Sequence, residues 1–154
     1  MLLNYVYLQG IDENLYLFAE QIDSKCIATD IKINDELTFL SDIGNLNTIV
    51  RNLISNAIKF SHDGGKITLT NQLIDGKVQI IIHDEGIGMT YNELATVFDA
   101  EKTKKRVGTA GESGSGLGLM IVKELVENNN GKINCTSQIN NGTRFIIEFP
   151  SSEN

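Results

Sequence analysis

Apolar residues recur along the chain with two different periods, and the places where the period changes mark out its elements. Between residues 44 and 60, Leu46, Ile49, Val50, Leu53, Ile54, Ala57 and Ile58 return at alternating steps of three and one, which predicts a helix with a single apolar stripe. Leu117–Asn128 predicts a second strong helix, with Gly131 beyond it as a stop signal. Further helices are expected over about residues 12–23 and around Tyr91–Phe98. Elsewhere the period is two. Ile67, Leu69 and Leu73 fall on one face of a strand, and Val78, Ile80 and Ile82 share a face of the next, with Asp75-Gly76 between them as a hairpin signal. Strands at 132–139 and 143–149 are joined around Asn141-Gly142, and β-branched segments near 26–33 and 36–41 predict two more. No segment repeats. Strands linked mainly by hairpins, with helices free to cover one face, define an α+β fold. It is a two-layer α/β sandwich with a mixed, largely antiparallel sheet, covered on one face by about three helices. Residues 99–116 carry four glycines and no apolar period, so they are expected to form a long loop of the kind that serves as a functional lid.

Composition narrows the function rather than the fold. With 41% hydrophobic and 21% charged residues the chain is ordinary globular material, and 154 residues suit one domain with a real core. Thirteen basic against twenty acidic residues leave a net charge of −7, which disfavours a general nucleic-acid binder. Six of those seven negative charges come from residues 1–45, a solvated acidic face. Against this background Lys102, Lys104, Lys105 and Arg106 form a local basic cluster. Cys26 and Cys135 are isolated from each other and from any histidine pair, which excludes a disulfide framework and suits a reduced, cytoplasmic setting. No apolar run approaches the ~18 residues of a membrane span, and no secretory signal opens the chain.

Three segments carry candidate chemistry. On the helix 44–60, Asn52, Asn56 and Lys59 form a polar stripe beside the apolar one. Asparagine is a poor helix former, so two of them one turn apart suggest a use. Their side-chain oxygens suit Mg²⁺ and Lys59 suits a phosphate, and a plain solvated face is the competing reading. Next, Asp84 stands just past an apolar strand, at the mouth of the turn Asp84-Glu85-Gly86-Ile87-Gly88-Met89. A buried carboxylate there accepts a hydrogen bond from adenine N6 and repels guanine O6; the competing reading is an acidic turn closing a strand. Finally, the glycine-rich stretch Gly108–Gly118 opens directly onto a helix, whose free N–H groups make an anion site. It lacks the ending of a Walker A loop and follows no strand as a dinucleotide fingerprint would.

The order of these three segments is more specific than any of them alone. The chain resembles the ATP-binding catalytic domain of sensor histidine protein kinases, of the superfamily (GHKL, Bergerat fold) shared with gyrase, heat-shock chaperone and mismatch-repair ATPases. NLISNAIKFS at 52–61 resembles its asparagine box, DEGIGM at 84–89 its first glycine box, and GSGLGLMIVKELVENNNGKI at 114–133 its second. GTRFIIEFP at 142–150 resembles its closing strand, and the likeness covers about residues 12–150. The resemblance implies that Asn56 coordinates Mg²⁺ with the help of Asn52, that Lys59 contacts phosphate, and that Phe60 lies near the nucleotide. It implies that Asp84 takes the adenine amine and that Gly86, Gly88 and Met89 form the adenine pocket. Gly114, Ser115, Gly116, Leu117 and Gly118 would face the phosphates, Thr143 would support the adenine end, and residues 99–113 would be the ATP lid. The basic cluster would then steer or hold the triphosphate. Phe98 fits the family's F box, whereas Glu101 stands where a second aromatic is common.

The ATP-hydrolysing branches of that superfamily usually carry glutamate where this chain has Asn52. An amide cannot take a proton from water, which favours transfer to another nucleophile over hydrolysis. That nucleophile is expected to be a histidine outside this chain, since neither His62 nor His83 sits in a phosphoacceptor context. The resemblance therefore implies a catalytic module that is inactive alone. It would use ATP, with ADP as product, and Mg²⁺. Its partners would be a phosphoacceptor/dimerisation domain of the same kinase and a response regulator receiver domain, with no nucleic acid and no direct membrane contact. Residues 1–11 would be a connecting segment or the remnant of a dimerisation helix, 12–150 the ATP-binding domain and 151–154 a tail. The isolated chain would be monomeric and cytoplasmic, within a parent that has room for a membrane anchor. Two other functions stay open on the residues: a self-contained ATPase of the same superfamily, and a nucleotide-binding regulatory module without phosphoryl transfer.

Overall fold

The computed structural model describes residues 3–152, and side chains from residue 10 onward. In chain order its elements are α1 (Leu3–Leu17), α2 (Ala19–Ser24), β1 (Ala28–Lys32), α3 (Ile43–Phe60), β2 (Lys66–Ile74), β3 (Lys77–Asp84), α4 (Tyr91–Ala95), α5 (Gly118–Asn128), β4 (Lys132–Ser137) and β5 (Thr143–Pro150). The strands form one sheet in the order β1-β2-β3-β5-β4. β1 runs parallel to β2, with Ala28 opposite Lys66, and the other three pairings are antiparallel. This is the mixed, largely antiparallel sheet that the hairpin signals predict. Asp75 (φ 51°) and Gly76 (φ 72°) both take positive φ, as a two-residue turn matched to the strand twist requires.

The helix layer is built on α3. Every residue of its predicted stripe is buried, from Leu46 to Ile58. Asp42 caps its start by accepting a hydrogen bond from Asn45 N at 2.8 Å. α1 and α5 both pack against α3. Buried Asn14 ties α1 to α3: its amide donates to Gly10 O at 2.7 Å and its oxygen accepts from Arg51 Nε at 3.2 Å. From the sheet, Ile67, Leu69, Val78, Ile80, Ile82, Phe145, Ile147 and Phe149 meet this layer, all 5% exposed or less, so they form the dry half of the sandwich.

Alternation along two of these strands also sets the site. Val78, Ile80, Ile82 and Asp84 share one parity on β3, and Thr143, Phe145, Ile147 and Phe149 share one on β5. Asp84 and Thr143 therefore point towards the helices, opposite each other in the register, at the end of a hydrophobic face.

Several expectations are corrected. The helix expected over 12–23 starts earlier, at Leu3, runs through residue 11 unbroken, and gives way at Phe18 to the separate α2. Residues 36–41 form no strand: Phe39 alone makes a bridge, to Ser151, and stacks on Phe149 with ring centroids 4.9 Å apart. Leu73 has the expected parity but is 49% exposed, lying beyond Thr70, the last residue of β2 that pairs with β1. The strand at 26–33 is trimmed to β1, with Cys26 left at a φ of 53°. Ser151 and Ser152 of the expected tail hydrogen-bond to Gly76 O and Thr38 O. Residues 1–2 and 153–154, in the expected connecting segment and tail, lie outside the described residues.

Candidate nucleotide site

A cleft of about 240 Å³ opens between α3, the ends of β3 and β5, and the loop that leads into α5. One wall is the polar stripe of α3, where Asn52, Asn56, Lys59 and Phe60 all line the cleft. Asn52 donates its amide to Thr48 O at 2.8 Å, which leaves its oxygen as the free end. That oxygen faces the start of α5: a β-carbon at Gly118 would stand only 2.9 Å from it. α5 has no side-chain cap, so its first N–H groups stay available to an anion. The residue before it, Leu117, does not line the cleft; its side chain is 44% exposed and its N–H is taken by Ser115 Oγ at 3.3 Å. Gly114, Ser115, Gly116 and Gly118 do line it.

At the other end the floor is Asp84, Met89 and Thr143. Asp84 is 3% exposed, and its Oδ1 has no hydrogen-bond partner. Burial pushes the carboxyl up to about 7, against the pull of the Thr143 backbone N–H and the Arg106 charge. An orphaned carboxylate oxygen on the buried floor of a cleft is costly unless a ligand donor meets it. The surrounding turn is fixed by Ser137, which the sequence reading missed. Its hydroxyl accepts from Met89 N at 2.8 Å, donates to Gly142 O at 2.9 Å, and lies 2.9 Å from Thr143 Oγ1, so that Thr143 can donate the remaining bond. Gly86 and Gly88 do not line the cleft but let backbones meet beneath it. Gly88 holds a φ of 64° with its α-carbon pressed against the Gln138 carbonyl, where no side chain fits.

The basic cluster is drawn in unevenly. Lys104, Lys105 and Arg106 reach the cleft, with Thr103 beside them. The Arg106 guanidinium lies over the Phe60 ring, 4.5 Å from its centroid, donates to Gly88 O, and pairs with Glu93 at 3.5 Å. Lys59 Nζ approaches the same ring at 5.0 Å. Burial pulls its ammonium below the ordinary value, Glu112 opposing and Arg106 reinforcing the shift, and a phosphate beside it would draw the value back up. Phe145 and Leu119, also unforeseen, supply apolar lining, and Phe98 packs edge-on against Phe145. Neither His62 nor His83 lines the cleft.

The raised Asp84 value makes a stability prediction for the ligand-free protein. A carboxyl whose folded pKa lies above its unfolded one stabilises the fold fully below the unfolded value, near 3.8, and that contribution is lost as pH rises through about 7. His83, held low by burial and then by Arg144, acts in the opposite sense on the acid side. The contribution of Asp84 is therefore read as the difference between wild type and Asp84→Asn. Between pH 5 and pH 8 the wild type is expected to lose a few kcal/mol relative to the variant, roughly 5–10 °C in melting temperature. Parallel melting curves across that range would refute it.

A sheet backed by helices on one face, with an acidic reader at one end of a cleft and an open helix N-terminus at the other, is the layout of a nucleotide-binding ATPase domain. The chain belongs to the family described as histidine kinase-, DNA gyrase B- and HSP90-like ATPase, which matches residues 41–153. It is 34% identical over 111 residues to the sensor-like histidine kinase SenX3 of Mycolicibacterium smegmatis, covering 72% of this chain and 29% of that protein. To the autoinducer 2 sensor kinase/phosphatase LuxQ of Vibrio cholerae it is 40% identical over 114 residues, 71% of this chain and 13% of the relative. The chain thus spans less than a third of these curated relatives. Among solved structures, the nucleotide-free catalytic domain of histidine kinase ThkA superposes with a TM-score of 0.77 at 29% identity, covering 92% of this chain and 90% of that one. Full-length ShkA in complex with AMPPNP gives 0.77 at 28% identity, over 98% of this chain and 30% of that one. This is a histidine kinase catalytic module. Among the described residues no helix is long and apolar enough to cross a membrane.

Proposed function

We propose that this domain binds Mg²⁺-ATP and donates the γ-phosphoryl group to a histidine on a phosphoacceptor/dimerisation domain of the same kinase, for relay to a response regulator. The observation that carries the reading is the buried, unpartnered Oδ1 of Asp84 at the end of a hydrophobic face. It matches the N6 amine of adenine and mismatches guanine O6. Thr143 and Met89 would hold the ring from the sides, and Phe60 would lie near the nucleotide. The phosphates would then extend towards Lys59 and the open N-terminus of α5. Gly114, Ser115, Gly116 and Gly118 would let backbone come close to them, with Lys104 and Lys105 in reach.

The donor set suits a shared metal ion. Among the described residues no three acidic, histidine or cysteine side chains converge, so an ion here would rest on Asn52 and Asn56 oxygens plus phosphates and water. Mg²⁺ so held neutralises phosphate charge. The side chains do the positioning: they hold the γ-phosphorus in line for a histidine nitrogen, whose lone pair forms the new P–N bond as the bond to the ADP oxygen breaks. Asn52 offers no base for water, which supports transfer over hydrolysis. Residues 1–11, of which 3–11 belong to α1, would connect to the phosphoacceptor domain.

The isolated chain is expected to bind adenine nucleotides while neither labelling itself nor releasing phosphate appreciably. Incubation with γ-labelled ATP tests this, alone and with the phosphoacceptor domain of the parent kinase. Acid-labile label on the added domain only is the expected result. Stable label on His62 or His83, or steady phosphate release by the pure chain, would overturn it.

A further inference from the structure

The lid is not one free loop. Lys25, at the end of α2, is 4% exposed and sits beneath it. Its ammonium donates to Ile58 O at 2.8 Å and Lys59 O at 3.0 Å, two carbonyls in the last turn of α3 that lack helical partners. The same ammonium reaches two lid residues, Thr109 Oγ1 at 2.7 Å and Glu112 Oε2 at 2.7 Å. Thr109 closes the contact with its hydroxyl on Ser61 O at 2.6 Å and its N–H on Lys59 O at 3.0 Å. Glu112 turns back to take Ala110 N at 2.7 Å, and Gly108 N bonds to Glu112 O. Burial would push the Glu112 carboxyl up, but the Lys25 ammonium and the local N–H groups outweigh it and hold the carboxyl below its ordinary value. Residues 108–112 are thus a tight turn fastened to the C-terminus of α3. That same helix end projects Lys59 into the cleft, and Lys59 Nζ lies 3.1 Å from where a β-carbon of Gly114 would be.

We propose that Lys25 and Glu112 form a clamp that divides the lid and presets its phosphate half. Residues 113–117 leave the clamp already placed against Lys59 and the start of α5, whereas residues 99–107 lie outside it and are held separately, by Thr103 on Thr96 O and by Arg106 on Gly88 O and Glu93. Both clamp residues are positioning residues, since neither lines the cleft. The clamp accordingly favours ligands that carry phosphates and is indifferent to the adenine end. The second half of this statement rests on the nucleotide reading above, and the first does not.

Glu112→Gln is the variant of choice, because it removes the charge while leaving Lys25 its α3 carbonyls. Amide exchange on the nucleotide-free chain reads the clamp directly. In wild type, Thr109, Ala110 and Gly111 are expected to exchange slower than residues 104–107. In Glu112→Gln they are expected to speed up roughly tenfold, with β3 and β5 unchanged. Calorimetry then separates the two ends of the site. Mg²⁺-ATP is expected to bind Glu112→Gln roughly tenfold more weakly, and adenosine within twofold of wild type. Unchanged exchange at 108–111, or equal losses for ATP and adenosine, overturns the clamp. If wild type binds neither ligand, the nucleotide reading falls and the exchange result alone decides the clamp. Lys25→Met provides the second variant: where it folds, it is expected to give the same split more strongly, and a uniform loss for both ligands counts against the proposal.

Discussion

Replacing Asp84 by asparagine is expected to lower the affinity for Mg²⁺-ATP ten- to a hundred-fold while leaving the fold intact. The two side chains are nearly isosteric, and the residue ends β3 fixed in register between Ile67 and Thr143. One carboxylate oxygen is engaged by the Thr143 N–H, which an amide oxygen can also accept. The amide nitrogen is then left where the orphaned Oδ1 now stands, on a residue of the cleft floor. An adenine amine would meet a donor in place of an acceptor. A hydrogen bond to a charged acceptor contributes roughly 1.5–3 kcal/mol, and its loss accounts for the range given. The variant also has no carboxyl to desolvate, so above pH 7 its ligand-free melting temperature should rise, not fall. Weaker binding by a more stable protein separates a lost contact from a damaged fold. Calorimetry with ATP and GTP, and melting followed by circular dichroism, measure the two. Binding within two- to three-fold of wild type would remove Asp84 as the adenine reader.

How much of this site could be read beforehand depends on whether the signal was local. The α3 stripe, the alternation on β3 and β5 and the Asp75-Gly76 turn are each set by neighbours within a few residues, and the structure follows them closely. Asp84 is legible twice, from its glycine turn and from its parity with Val78, Ile80 and Ile82. Parity alone already puts it among buried side chains. Ser137 was not legible, since its three partners come from two turns that only the folded sheet brings together. Lys25 was less so: a single lysine in an acidic stretch, its lid partners lie more than 80 residues away, and no periodicity encodes such a pairing. The helix end it caps leaves carbonyls that must find donors, and that requirement was a signal available in principle. The expected strand at 36–41 failed for the opposite reason. Its residues have β propensity, but at the edge of the structure Phe39 gains more from stacking on Phe149 than from a ladder. Leu117 stands with its N–H on Ser115 Oγ and its side chain turned outward, an arrangement that no periodicity encodes.

Gly142→Ala is expected to cost about 3 kcal/mol or more and to weaken nucleotide binding along with the fold. Gly142 stands in the turn before β5 with a φ of 77°, a conformation that costs an alanine roughly 1–2 kcal/mol. Its surroundings add more. A β-carbon there would run into the backbone carbonyl of Asp84, and the amide of Gly86 lies 3.1 Å from the same point. Backbone cannot swing aside as a flexible side chain does, so the turn or the end of β3 must shift, which adds about 1–3 kcal/mol of overpacking. Either shift strains the Gly142 N–H bond to Gly86 O and the Ser137 bond to Gly142 O, and it moves the carboxyl that reads the base. Gly76→Ala is the matched control. Its φ of 72° carries the same conformational cost, but no atom lies within 4 Å of the added methyl, and the turn is at the far end of the sheet. The control is expected to melt a few degrees below wild type, and Gly142→Ala roughly 6–12 °C below it. The control should also bind Mg²⁺-ADP normally while Gly142→Ala binds it at least several-fold more weakly. Equal melting of the two variants would mean that the turn yields without disturbing Asp84, and that the close backbone contact is not what holds the adenine end of the cleft in shape.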